Sequence, residues 1–221
     1  MSWTDQPIYF VDFEGNRNSG ILEYGVATVL EGRVAETRTR LCRPTGPIRP
    51  EDAEVHGLGE EELASQPPFS EDWDYFAGLR ERGPLGAHYA GVENGLLKAV
   101  WPYPRSSPDF ARPGRRSVEW GPWVDSARLC AELFPHVGSG RLEALVCRLG
   151  LQPELDRLAA ASCPPGRRRY HAALYDALAG ALLLGEVARD PRAARLDLAQ
   201  LLARSTLDPD KRDALTQGRL W

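Results

Sequence analysis

Two acids close an apolar run, Ile8-Tyr9-Phe10-Val11-Asp12-Phe13-Glu14-Gly15, and are the first residues whose types and spacing could do chemistry. Successive side chains of an extended strand alternate faces, so Asp12 and Glu14 share one side while Val11 and Phe13 take the other. Like charges on one edge of a buried strand raise the energy of the folded state unless something positive lies between them, and a divalent cation is the usual solution. The pair reads as half of a metal site, although acid-x-acid triplets at strand ends are also commonly structural or solvated. His171 and Asp176 supply partners. Residues five apart on a straight helix stand about 140° apart around the axis, so both serve one site only if His171 lies at or just before the helix start. Asp176 then sits one turn in and faces the acids of the first strand. A core histidine and a solvated helix aspartate are the plain readings of either residue alone.

The elements that must position these residues follow from the pattern of the chain. Residues 21–30 have strand character, Glu31-Gly32 turns the chain, and residues 33–42 continue it, which makes three antiparallel strands at the N-terminus. Pro44, Pro47 and Pro50 forbid regular pairing, and Pro50-Glu51-Asp52 starts a short helix that Gly57 ends. Ser70 is a plausible N-cap for a helix to about Arg82, with Trp73, Phe76, Ala77 and Arg80 along one stripe. Residues 85–89 suit a fourth strand and residues 92–101 a helix carrying Glu93 in its first turn. Trp123-Val124-Asp125 suits a fifth strand leading into a helix to Phe134. Strand then helix is the alternation of an α/β fold.

Between them, residues 102–122 form an irregular insertion that mixes Tyr103, Phe110 and Trp120 with Arg105, Arg112, Arg115 and Arg116. Rings beside arginines can stack bases and contact phosphates, and such loops also pack against their own protein or a twin subunit. Ser139 would cap a helix with Leu142, Leu145, Val146 and Leu149 on one side. Further helices are expected at residues 153–161, from Tyr170 or His171 to Ala188, and as an amphipathic pair after Pro191 divided near Asp208-Pro209.

At 221 residues, 43% hydrophobic and 26% charged, the chain can bury a sizeable core. A net charge of −4 argues against broad electrostatic binding of long duplexes. The cationic side chains are 25 Arg and 2 Lys. Four scattered cysteines indicate neither a zinc site nor a disulfide framework, and the N-terminus has no signal-like apolar core, so a cytoplasmic location and no membrane insertion are expected.

In order along the chain these pieces resemble the DEDDh branch of the 3′-to-5′ exonucleases, the family that includes polymerase proofreading exonucleases and oligoribonucleases. Asp12-Phe13-Glu14 falls at its first motif and Ile21-Leu22-Glu23-Tyr24-Gly25 at its second-strand signature. Arg43-Pro44 with Ile48 and Val55-His56-Gly57-Leu58 resembles the loop near the substrate terminus. Residues 87–93 fall at the second acidic motif, Asp125-Ser126 at the strand-to-helix Asp-Thr pair, and residues 171–177 at the last motif. Where the family has His-Asn-Ala-x-Phe-Asp, this chain has Tyr89 for Asn and Glu93 for Asp, and Gly15-Asn16 replaces the commoner Thr-Thr.

The resemblance implies a ribonuclease H-like exonuclease fold: an α/β domain over residues 1–186 with a five-stranded mixed sheet flanked by helices; the helical extension expected over residues 187–221 lies outside the match. It implies two Mg²⁺ or Mn²⁺ ions, with Asp12, Glu14 and Asp176 on the first, Asp12 bridging to the second and Glu93 completing the set. His171 would take a proton from the attacking water. Phe13, Gly15, Asn16, His56, His88 and Tyr89 would bind substrate. The implied partners are single-stranded 3′ ends of DNA or RNA. The C-terminal helices would either serve a homodimer contact or cover one side of the sheet. The competing reading is a non-catalytic module of the same fold that binds nucleic-acid ends or a protein.

Overall fold

A computed structural model describes residues 2–138 and 140–206. At the N-terminus β1 (Ile8–Asn16), β2 (Gly20–Leu30) and β3 (Arg33–Leu41) form an antiparallel meander. The helices α1 (Pro50–His56), α2 (Glu60–Leu63) and α3 (Trp73–Arg82) follow, then β4 (Leu85–Ala87) and α4 (Ala90–Val100). A small antiparallel pair, β5 (Ser107–Pro108) and β6 (Arg116–Ser117), precedes β7 (Val124–Asp125). Six helices close the described chain: α5 (Ser126–Leu133), α6 (Leu142–Arg148), α7 (Gln152–Ser162), α8 (Ala173–Arg189), α9 (Pro191–Ala194) and α10 (Leu198–Arg204). Because β4 pairs parallel to β1 and β7 parallel to β4, the main sheet is mixed, in the order β3-β2-β1-β4-β7 with β1 at its centre.

The alternation of β1 sorts its side chains into two cores. Ile8 and Phe10, with Ala27, Val29 and Val124, belong to the layer that holds Leu129, Leu145, Leu155, Leu174 and Leu178. Tyr9, Val11 and Phe13, with Tyr24 and Val26, belong to an aromatic layer of Phe69, Phe76, Trp101 and Trp120. Asp12 and Glu14 extend the Ile8–Phe10 stripe toward the N-terminus of α8, which packs across β1, β2 and β3. That approach needs glycine on both sides: a Cβ at Gly25 would collide with the backbone of Ala173 and Leu174, and one at Gly180 with the Phe10 ring.

Several local expectations change. Ser70 lies in a 3₁₀ turn, Phe69–Asp72, and α3 starts after it. Asp72 takes the N-cap position without capping, because Arg40 (2.5 Å) and Arg38 (3.3 Å) claim its carboxylate. The fourth strand stops at Ala87 because Tyr89 turns left-handed (φ +61°) and starts α4 two residues earlier than residue 92. Ser139 lies outside the described residues, and Arg141 takes the N-cap of α6. The break after Pro191 falls between Ala194 and Leu198; the expected division at Asp208-Pro209 lies outside the described residues.

The insertion is not wholly irregular and is anchored to its own protein. Arg80 is fully buried and donates to the carbonyls of Pro108 (2.8 Å), Glu119 (3.1 Å) and Gly121 (2.9 Å), while Trp120 is fully buried and donates to Trp101 O (2.8 Å). A guanidinium with several donors satisfies a loop that has almost no ladder of its own. Arg105 stacks on Trp73 and pairs with Asp74. Among the described residues no helix is long and apolar enough to cross a membrane.

Gly25→Ala should cost about 1–3 kcal/mol, as overpacking of a rigid backbone contact does. Thermal unfolding measures it, and an alanine variant as stable as the parent would show that α8 can yield.

Candidate active site

Three elements bring the acids together. Asp12 and Glu14 come from the end of β1, where the register with β2 shifts at Glu14/Gly15 and Gly15 adopts φ +115°. Asp176 comes from the first turn of α8, and Glu93 from the first turn of α4. The imidazole of His171 stands on the loop before α8. Ligand atoms of Glu14, His171 and Asp176 all lie within 4.8 Å of one another.

Each side chain is fixed by its backbone surroundings. Beyond the end of β4 no strand covers the Phe13 N–H, and the Glu93 carboxylate accepts it instead. The turn carrying Glu93 is set by Asp125, whose Oδ1 accepts from Ala127 N (3.0 Å) and Arg128 N (3.3 Å) while Oδ2 accepts from Ala90 N (3.0 Å). One carboxylate therefore starts both α4 and α5. His171 is exposed, with φ +61°, and its N–H donates to Asp176 Oδ2 (3.0 Å).

Glu23 and Arg167 complete the cluster. Glu23 is buried in β2, forms a two-point ion pair with Arg167 and accepts from Ala173 N (3.0 Å). Arg167 also donates to His56 O (2.5 Å) and His171 O (3.4 Å). Neither residue carries a role in the sequence reading beyond a strand signature and a basic loop. The available signal was one charge, Glu23, inside the apolar run of β2.

The electrostatics follow from burial and like charge. Burial first, then Asp176 and Glu23, pushes Glu14 up to about 8, with Arg167 and Arg169 opposing. Burial and the Glu14 charge push Glu93 up to about 8, against the Phe13 N–H. Burial raises Asp176 to about 7 despite the His171 N–H, and Asp12 is raised by burial and then by Glu93, Asp176, Glu14 and Glu23. Glu93 Oε2 and Asp176 Oδ1 are buried without a hydrogen-bond partner. Unpaired carboxylate oxygens among mutually repelling acids are a donor set that fits a hard divalent cation.

The six expected substrate residues divide. The Phe13 ring is buried against Phe69 and Phe76, because it lies on the face of β1 opposite the acids, so only its backbone reaches the site. His88 has both ring nitrogens engaged, by Ser126 Oγ (2.8 Å) and Gly140 O (2.7 Å). The Asn16 amide donates to Asp52 Oδ2 (2.8 Å). Buried His56 accepts from Leu58 N through Nδ1, and its Nε2 has no partner. Gly15 forms the bulge, and Tyr89 is 44% exposed.

No protein-family model matches the chain, and no curated protein sequence matches it. Solved structures do. A structure of exonuclease X in complex with 5′-overhanging duplex DNA is 23% identical over 88% of this chain and 99% of that one, with a TM-score of 0.61. A 3′-exonuclease that recognises the 3′ end of a histone mRNA stem-loop is 15% identical over 87% and 85%, TM-score 0.62. The zinc-bound E. coli ExoI–single-stranded DNA complex is 15% identical over 86% of this chain and 42% of that one, TM-score 0.57. Sheet order and these likenesses agree: the chain has the ribonuclease H-like exonuclease fold.

Proposed function

We propose that the chain is a metal-dependent 3′-to-5′ exonuclease that hydrolyses phosphodiester bonds at the 3′ end of single-stranded DNA or RNA and releases 5′-mononucleotides. One observation carries the reading: Asp12, Glu14, Glu93 and Asp176 crowd one another beside the His171 imidazole, with two buried carboxylate oxygens unpaired. Structural neighbours in complex with overhanging duplex DNA and single-stranded DNA, or recognising an mRNA stem-loop, support nucleic-acid ends as the substrate class. Four free cysteines favour a reducing, cytoplasmic setting.

Asp12, Glu14, Asp176 and Glu93 would hold Mg²⁺ or Mn²⁺. Two such ions, when bound, supply a reactive water and charge stabilisation at the phosphate. The Glu93 carboxylate takes the Phe13 N–H, leaves Oε2 buried and unpaired, and feels the charges of Glu14 and Asp176, so a glutamate where the resemblance expects aspartate keeps the charge at the cluster. His171 stands at the rim, exposed to solvent and within reach of two of the acids. It can accept a proton from the water attacking the phosphate and pass it to bulk. The intact set of acids favours the enzyme over a non-catalytic end-binding module.

Incubation with Mn²⁺ or Mg²⁺ and single strands labelled at either end should show shortening from the 3′ side alone, with matched RNA and DNA oligonucleotides reporting sugar preference. Binding without shortening would replace the enzyme by the module. His171→Ala should keep substrate binding while turnover falls by roughly a hundredfold or more, and an unchanged rate removes His171 from the chemistry.

Metal-free stability should depend on pH. With Glu14 and Glu93 raised to about 8 and Asp176 to about 7, the folded chain binds more protons than the unfolded chain from the ordinary carboxylate range up to about pH 8. The melting temperature in EDTA should therefore fall as pH rises through that window. Millimolar Mn²⁺ should raise it by several degrees more at pH 8 than at pH 5.5, because the cation binds the deprotonated acids. Equal shifts at both pH values would show that the metal does not bind here.

A further inference from the structure

We infer that the buried Glu23–Arg167 ion pair is a positioning device that holds the His171 imidazole over Glu14 and Asp176, an inference that rests on the nuclease reading above. His171 is a non-glycine residue in the left-handed region, a conformation that persists only where neighbouring structure over-determines it. Three restraints do so. Its carbonyl accepts from Arg167, its N–H donates to Asp176, and two residues on, the Ala173 N–H donates to Glu23. Arg167 links two of these restraints, because besides the His171 carbonyl its guanidinium engages both oxygens of Glu23, the acceptor of Ala173 N–H, and also His56 O. It thereby ties β2, the end of α1 and the approach to α8 into a single unit. A lysine ammonium, a single point donor, cannot span the same acceptors.

The pair is almost excluded from solvent, with side-chain exposures of 11% for Arg167 and 2% for Glu23. Removing one partner alone would strand a buried charge. The combined exchange Glu23→Gln with Arg167→Met removes both charges, keeps an acceptor for Ala173 N and loses the fork that holds the His171 carbonyl. Arg167→Lys keeps the charge and loses the fork.

Both variants should lower kcat about 10- to 100-fold, the effect of misplacing a reacting group by about 1 Å. KM and calorimetric Mn²⁺ affinity should stay within about threefold of the parent. A structural readout runs beside the kinetics. Of the four histidine ring signals in the NMR spectrum, the one lost in His171→Ala should be selectively broadened by Mn²⁺ in the parent, and that selectivity should disappear in both variants. The inference is overturned by a parent-like kcat, by a loss of Mn²⁺ affinity that matches the loss of kcat, or by selective broadening that survives. Full activity in Arg167→Lys would reduce Arg167 to a counter-charge and overturn it too. A parent chain that cleaves no strand sinks the nuclease reading, and the histidine signals then decide the positioning role on their own.

Discussion

Mutual repulsion among buried carboxylates is the constraint on which this molecule turns. Burial and then the charges around them, Glu23 among these, raise the proton affinity of Asp12, Glu14, Glu93 and Asp176, while Arg167, already paired with Glu23, opposes the rise at Glu14 and Asp176. Such a cluster opposes folding, since each ionised acid loses hydration and gains a like-charged neighbour. It persists because the elements that carry the acids are held by other means. Two apolar layers pack on opposite faces of the sheet, and the acids stand where β1 outlasts its neighbour β4. Local instability at one edge is the condition for holding a hard cation, and the rest of the fold offsets it.

Close backbone approach converts those layers into a site. The N-terminus of α8 can lie on β2 only because residue 25 has no side chain, and the body of α8 can lie against the Phe10 ring because residue 180 has none either. The same closeness lets Glu23 accept from the first N–H of α8, that of Ala173, and brings Asp176 within the field of Asp12 on β1. At the other side, Asp125 begins two helices at once and so ties the place of Glu93 to the end of β7. The left-handed residues Tyr89 and His171 mark the two points where the chain must bend sharply to enter α4 and α8.

Much of this was legible in the chain. The alternation of residues 8–14 assigns both faces of β1, and the periodicity of α8 together with Gly57 and Gly83 places several boundaries within a residue or two. Caps were read less well, because they depend on partners. Ser70 is a good cap by type and lies two residues too early, while Asp72 stands at the cap with its carboxylate held by two arginines of β3. The insertion could not be resolved from composition, since aromatic and arginine residues suit a nucleic acid as well as their own core; burial of Trp120, and of Arg80 on α3 beneath the loop, decided for the core at Trp120. The side-chain contacts of His88 and Phe13 show the same limit, as residue type does not say whether a neighbour has already taken the side chain.

What the amino-acid order determined by itself is the set of short-range facts: which acids share a face, which residue precedes a helix, where glycine and proline interrupt. These follow from covalent geometry and from periods of 2 and 3.6 residues. Only the tertiary structure decided which distant groups meet. Glu23 and Arg167 lie far apart in the chain, and their pairing depends on how closely α8 settles on β2, a distance set by packing across the whole layer. The raised proton affinities have the same origin, because burial and the company of other charges exist only once the chain is folded.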